Sequence, residues 1–200
     1  MVGYIAIGVL GFLAACLFDV VSLKRIPGAK PAVGLVAAGL IVYATLMVCV
    51  RSDRLGLPVG VTWLGWGLLL ISLLLITYSL FVNLPWRRTY VAPGVGDTLI
   101  RTGTYAMVRH PGVLWYALLL VSLILVSKAK LLLIASPVWF FMDIVYVFIQ
   151  DRLLFGKMFV GYEDYRQETP MLIPTKKSMD ACFRTLRLAR AQGEVQGRRG

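Results

Sequence analysis

The sequence predicts an all-α integral membrane protein of about five transmembrane helices. Three observations predict it: an apolar composition, long stretches without charge, and basic residues gathered on one side of those stretches. Of 200 residues, 58% are apolar and 16% are charged, and the mean hydropathy is +0.77. Soluble domains run at roughly 45–50% apolar and about 25% charged, so the departure is toward membrane proteins. The chain is nevertheless basic, with 21 Lys+Arg against 10 Asp+Glu and a net charge of +11.

Each helix follows from an uncharged run long enough to cross a hydrocarbon core, which takes about 20 residues. The first 18 residues carry no charge and the run resumes after Asp19, which gives a helix over 3–23. That segment lacks the basic start of a signal peptide, and Asp19 falls where a small-residue cleavage site would stand, so it reads as a retained helix. Residues 31–50 and 55–86 supply helices over 32–50 and 61–83. Residues 111–127, and 131–150 broken only by Asp143, supply helices over 112–127 and 131–150. Lys128-Ala129-Lys130 alone joins the last two, which forces a tight antiparallel hairpin. At 16 residues the fourth helix is short for a crossing, and the two lysines are expected to snorkel to water.

Charge sets the expected orientation. With the N-terminus outside, the inner side holds Lys24, Arg25, Lys30, Arg87, Arg88, Arg101, Arg109 and ten basic residues after Gln150, which is seventeen of 21. The outer side keeps Arg51, Arg54, Lys128 and Lys130. An excess of Lys and Arg marks the cytoplasmic side, so the expectation is N-out, C-in, in a cytoplasmic (inner) membrane. The basic residues then serve topology and attraction to anionic lipid rather than nucleic-acid binding. Three divisions follow: 1–84, an N-terminal three-helix region; 85–174, a region with the helical hairpin; and 175–200, a basic tail. The tail reads equally as a surface helix or as disorder, with disorder favoured from Gly193 onward.

Cys16, Cys49 and Cys182 show neither metal spacing nor an obvious pairing, and one histidine excludes a histidine-based metal cluster. No Gly-rich phosphate loop is present. The chemistry-bearing residues collect instead in the inner loop 84–111 and the segment 150–174. That loop, about 27 residues long, includes a turn-rich stretch from Ala92 to Asp97 and exceeds what a mere connection needs. Pro111 suits the first turn of the fourth helix and puts Arg109-His110 at its cap. A cation there opposes the helix dipole, so either an anion completes the site or the arginine reaches lipid phosphate. His110 is open between a structural hydrogen-bonded role and contact with a polar ligand. Helix 5 carries Asp143, Tyr146 and Gln150 on one face, followed by Asp151, and an ionisable residue inside a span marks a candidate site or a pairing with a neighbouring helix. Asp19, near the cytoplasmic end of helix 1, is expected to pair with Lys24 or another surface cation.

Gly103-Thr104-Tyr105, three residues, then Arg109-His110-Pro111 resembles the G-x-Y-x-x-x-R-H-P signature of integral membrane methyltransferases. These are the isoprenylcysteine carboxyl methyltransferases and the phospholipid methyltransferase-like proteins. The second half of that signature is matched by Asp151-Arg152-Leu153-Leu154, Met158-Phe159, Tyr162-Glu163-Asp164-Tyr165 and Thr169 through Pro174, with spacing kept. The resemblance covers about residues 85–174. Three departures stand out: Gln150-Asp151 replaces two adjacent glutamates, Val113 replaces a tyrosine, and Met158-Phe159 replaces Phe-Gly.

The resemblance implies methyl transfer from S-adenosylmethionine to a lipophilic or prenylated acceptor, a carboxylate or an amine, at the cytoplasmic face of the membrane. It implies that Gly103, Tyr105, Arg109, His110, Pro111, Asp151, Tyr162 and Tyr165 form the cofactor pocket, with Arg109 and Asp151 in the catalytic roles. Arg109 would clamp the cofactor carboxylate through charge-assisted hydrogen bonds. An amine acceptor would need a base, for which Asp151 and Tyr105 are the candidates. Two other readings stand beside it: an NADPH-dependent membrane reductase of sterol-reductase-like architecture, and a non-catalytic membrane protein that retains the fold.

Overall fold

A computed structural model of the chain describes residues 2–26, 28–85, 87–91 and 99–197. The turn-rich stretch from Ala92 to Asp97 lies outside the described residues. Among those residues the chain is helical, with two long apolar helices first: α1 (Val2–Leu23) and α2 (Ala29–Arg51). The third, α3 (Val59–Thr77), runs on through a π turn at Tyr78–Val82. A second π turn, Arg87–Val91, and the short α4 (Thr104–Met107) precede α5 (Pro111–Ser127). Then α6 (Leu132–Ile149) continues through a π turn at Gln150–Leu154 into α7 (Phe155–Met158). Two further helices, α8 (Tyr162–Glu168) and α9 (Lys176–Gly197), close the chain.

Four of these helical segments are long and apolar enough to cross a membrane: Val2–Leu23, Ala29–Arg51, Val59–Val82 and Leu132–Met158. The protein is thus an all-α membrane protein, and the fifth expected span, α5, is the short one at 17 residues. The tail from Lys176 is helical through Gly197, including the stretch after Gly193 that composition assigns to disorder.

Small residues let the helices approach, as apolar packing in lipid requires. Gly8 on α1 faces the Trp139 ring of α6, where a Cβ would collide with the indole nitrogen. Trp139 is 1% exposed and donates its indole N–H to the Ile5 carbonyl at 3.1 Å. Gly11 meets Ile41 of α2, and Gly65 of α3 meets Leu125 of α5, in the same way. The pairs α1–α2, α3–α5 and α1–α6 carry the bundle. Large apolar side chains such as Trp63, Leu70 and Leu74 on α3 point outward, as a lipid-facing surface would.

At one end of the bundle the α2–α3 and α5–α6 connections are stitched together. Leu55 N donates to Lys128 O at 2.6 Å and Lys130 N to Asp53 O at 2.9 Å. Arg54 reaches the carbonyls of Cys49 and Ser127. The hairpin expected at 128–130 is present, and Lys128 adopts φ 56° to end α5. Its ammonium does not simply reach for water: it donates to Leu57 O at 3.0 Å, because the stitched loop brings an unsatisfied carbonyl within range. The opposite end gathers the start of α2, α4, the start of α5, the π turn after α6, and α8.

Candidate functional site

His110 caps α5 and Pro111 takes its first position, where the missing N–H costs nothing. The cap is held from outside the helix. Arg109 N donates to Pro170 O at 2.9 Å and His110 N to Met171 O at 3.2 Å, so the main chain joins the two halves of the sequence motif.

The Arg109 side chain makes a second join. Its Nε donates to Asp151 Oδ1 at 2.7 Å and its Nη2 to Asp151 Oδ2 at 3.0 Å, a two-pronged pair between side chains 7% and 1% exposed. Nη1 donates to the carbonyls of Arg166, at 2.9 Å, and Thr169. Tyr162 donates its hydroxyl to Asp151 Oδ1 at 2.6 Å, and Arg166 Nε stands 3.8 Å from Oδ2. The anion that an arginine at a helix N-terminus calls for is therefore supplied by the chain itself. The π turn makes this possible. Successive residues there face different neighbours: Gln150 Nε2 donates to Asp19 Oδ2 at 2.8 Å, while Asp151 receives Arg109.

Protonation states follow from these contacts. Burial works against the Arg109 charge, but the hydrogen bonds and charge of Asp151 overcome it and hold its pKa above the ordinary value. Burial, reinforced by the Asp151 carboxylate, pushes the Tyr162 phenol up, so it remains a neutral donor. Burial likewise raises Tyr105 and Tyr165, and pushes Tyr90 up to about 12. Tyr165 donates to Tyr105 O at 2.6 Å, and Tyr90 to Leu80 O at 3.1 Å. His110 moves the other way. Burial lowers its pKa from the ordinary 6.5, and Asp151 Oδ1, 3.4 Å from Nε2, does not reverse this. The ring stacks on Phe155 at 5.6 Å between centroids, and its buried Nε2 makes no hydrogen bond.

A cavity of about 460 Å³ opens beside this cluster. Tyr105, Arg109, His110, Pro111, Tyr162 and Tyr165 all line it, so six of the eight motif residues share one space. The other two stand behind the wall. Asp151 holds Arg109, and Gly103 shapes the turn into α4. Gly103 has φ +59°, a Cβ on it would lie 2.8 Å from the Asn83 amide nitrogen, and its N–H donates to Thr185 Oγ1 of α9 at 3.0 Å.

The cavity continues from the motif into the span helices. Phe12 and Phe18 of α1, Ile41 of α2 and Ile76 of α3 line it, together with the Asp143–Tyr146–Gln150 face of α6. Sequence reasoning reached that face but missed two residues. Among the described residues Asp19 forms no ion pair with a surface cation: it is 4% exposed, lines the cavity and receives Gln150. Lys30, expected in a loop, is 3% exposed inside the first turn of α2, lines the same cavity and acts electrostatically on Asp19. The correction has a plain cause. Asp19 and Gln150 lie 131 positions apart, and only the α1–α6 packing brings them together. The available signal was a carboxylate inside an otherwise uncharged run.

Comparison with known proteins gives one family. The family model described as a protein of unknown function, DUF1295, matches residues 34–168. No curated protein and no solved structure matches the chain.

Proposed function

The chain belongs to the DUF1295 family, which is associated with steroid 5α-reductase-like and methyltransferase-like membrane proteins, and on that premise we propose that it is a membrane methyltransferase. It would move a methyl group from S-adenosylmethionine to a lipophilic acceptor, within the cavity beside Arg109. The observation that carries this reading is the cavity's shared lining: polar motif residues and apolar span residues face one volume. A polar cofactor and a lipid-soluble acceptor need such a place to meet.

The residues fit the cofactor. At about 460 Å³ the volume falls within the range of roughly 300–1,000 Å³ usual for small-molecule sites. The rings of Tyr105, Phe155, Phe159, Tyr162 and Tyr165 line it, and aromatic faces suit a sulfonium cation. His110 lines the same cavity, and its buried Nε2 has Asp151 Oδ1 3.4 Å away. When bound, the cofactor supplies an electrophilic methyl group. This chain's residues would hold and align the reactants and keep water out, which is where an in-line displacement gains its rate.

Arg109 has a narrower part in this scheme than a carboxylate clamp, since Asp151 and two backbone carbonyls take most of its donors. It would position the α5 terminus, and with it His110, against the cavity. A nicotinamide dinucleotide needs cations for its phosphates. Among the described residues lining the cavity, Arg109 and Lys30 are the arginine and lysine, one bound to Asp151 and the other set against Asp19. That balance favours the methyl donor. The reading also takes the motif end of the bundle, rich in basic residues, as the cytoplasmic face.

Titration calorimetry of the full chain in lipid nanodiscs, with S-adenosylhomocysteine and separately with NADPH, tests the reading. Binding of the first and not the second is expected, and His110→Ala is expected to weaken it. A folded protein that binds NADPH alone, or neither compound, overturns the proposal.

A further inference from the structure

Beyond the motif, the cavity holds a second group of polar atoms in a different condition. Asp143 of α6 is 9% exposed and lines the cavity, yet among the described residues its carboxyl makes no hydrogen bond and no ion pair. Across from it, on α5, the Tyr116 hydroxyl lines the same cavity, is buried, and has no hydrogen-bond partner. The two are near enough to interact electrostatically. Buried polar groups are nearly always satisfied, and a carboxyl inside a span is expensive, so a pair left open toward one cavity calls for a ligand group.

Charge and depth define that group. The other two carboxylates have partners: Asp151, behind the cavity wall, holds Arg109, and Asp19 receives Gln150 with Lys30 acting on it electrostatically. Asp143 has no cation beside it among the described residues, and a cationic ligand group would supply one. Asp143 precedes Asp151 by eight residues, about 12 Å along a helix at 1.5 Å per residue. It stands near the middle of Leu132–Met158, a segment long and apolar enough to cross a membrane, and the middle of such a segment falls within the hydrocarbon core. The same cavity wall includes Phe12, Ile41 and Val147, and Tyr146 lies close enough to Asp143 to interact with it electrostatically.

We propose that Asp143 and Tyr116 form a binding subsite for the basic nitrogen of a slender lipophilic amine, one too deep for a glycerophospholipid headgroup. The ammonium donates to the Asp143 carboxylate and to the Tyr116 oxygen, while the hydrocarbon part fills the apolar wall. The subsite stands whether or not the shallow end of the cavity transfers methyl groups.

The test uses the full chain in nanodiscs and dodecylamine as the probe, with dodecanoate and 2-dodecanone as chain-matched controls. Dicyclohexylcarbodiimide, which attacks carboxyl groups in apolar surroundings, reports on Asp143 through mass spectrometry of the labelled peptide. Dodecylamine is expected to slow Asp143 labelling, and the two controls are not. Asp143→Asn is expected to weaken dodecylamine binding by about tenfold to a hundredfold, the worth of a hydrogen bond to a charged group. Asp143→Glu, which keeps the charge, is expected to retain most of it. Equal protection by the ketone or the carboxylate overturns the proposal, as does unchanged binding by Asp143→Asn. Protection by phosphatidylethanolamine in the disc also overturns it, since a headgroup would then reach the site. Should the asparagine variant fail to fold, wild-type protection and the glutamate variant still decide. Failure of S-adenosylhomocysteine binding with amine protection intact would sink the methyl-transfer reading and leave this subsite standing.

Discussion

Two buried carboxyl groups on one continuous helix, eight residues apart, have been treated in opposite ways by the fold. Asp151 receives both prongs of Arg109 and the Tyr162 hydroxyl. Asp143 receives nothing among the described residues, and neither does the neighbouring Tyr116 hydroxyl. The first group is complete without a ligand and therefore acts as architecture, tying α5, the π turn and α8 around one charge pair. The second is incomplete, and incompleteness is what a ligand can use. The residues most visible in the sequence motif are thus not the ones with bonding capacity to spare. His110 stands between the two conditions, placed by the motif yet with a buried nitrogen left open.

Truncating each carboxyl in turn should separate the two groups by the widest margin. Asp151→Ala strands a buried guanidinium, and losing one partner of such a pair costs about 3–5 kcal/mol. Asp143→Ala removes a carboxyl with no partner, so its cost is confined to the lost volume and should be much smaller. Unfolding by titration with a denaturing detergent, compared for the two variants in the same lipid, reads the difference. Equal losses would mean that Asp143 has a structural partner after all.

Tyr162→Phe probes the same pair more gently. Arg109 still holds Asp151, and only the 2.6 Å hydrogen bond is lost. A hydrogen bond to a charged group is worth about 1.5–3 kcal/mol, so the variant should fall between wild type and Asp151→Ala in the same titration. A loss as large as that of Asp151→Ala would show that the tyrosine, rather than the arginine, holds the carboxylate in place.

These expectations show what the sequence made legible. The span helices follow from uncharged runs: α3 with its π turn ends at Val82 against an expected 83, while the last span runs past the expected 150 to Met158 through the π turn after α6. The motif residues do converge, because main-chain bonds from Arg109 and His110 reach Pro170 and Met171, some sixty positions away. The role of Arg109 was not legible. Its position against a helix dipole calls for an anion, but the sequence could not say whether that anion is a ligand or Asp151. Asp19 fails for a related reason. Its nearest cation in sequence is Lys24, whereas Gln150 and Lys30 meet it only once α1, α2 and α6 are assembled.

The open nitrogen of His110 gives a pH test. Its pKa is lowered by burial, so the folded protein takes up this proton less readily than the unfolded chain. The stability tied to it is therefore whole above the ordinary imidazole value near 6.5 and is lost as pH falls below that value. Thermal melts from pH 7.5 to 5 (a range chosen on either side of that value, about 6.5) should show a decline that His110→Gln lessens. A decline identical in the variant would assign it to other groups. A ligand acceptor bonded to the imidazole N–H would flatten the curve, which links the measurement to occupancy of the shallow site.

The smallest expected effect on stability is the most discriminating for function. Tyr116→Phe removes a hydroxyl that bonds to nothing while keeping a ring that packs edge-on against Phe12, with 5.9 Å between centroids. Deleting an unsatisfied buried donor should leave stability unchanged or raise it by about 1 kcal/mol, since a burial cost disappears and no bond is lost. Tyr162→Phe makes the same chemical change in the satisfied region and must destabilise. Opposite signs from one substitution at two tyrosines would establish that the cavity's two ends differ in kind. If Tyr116→Phe destabilises as much as Tyr162→Phe, its hydroxyl has a partner, and the deep end of the cavity is as closed as the motif.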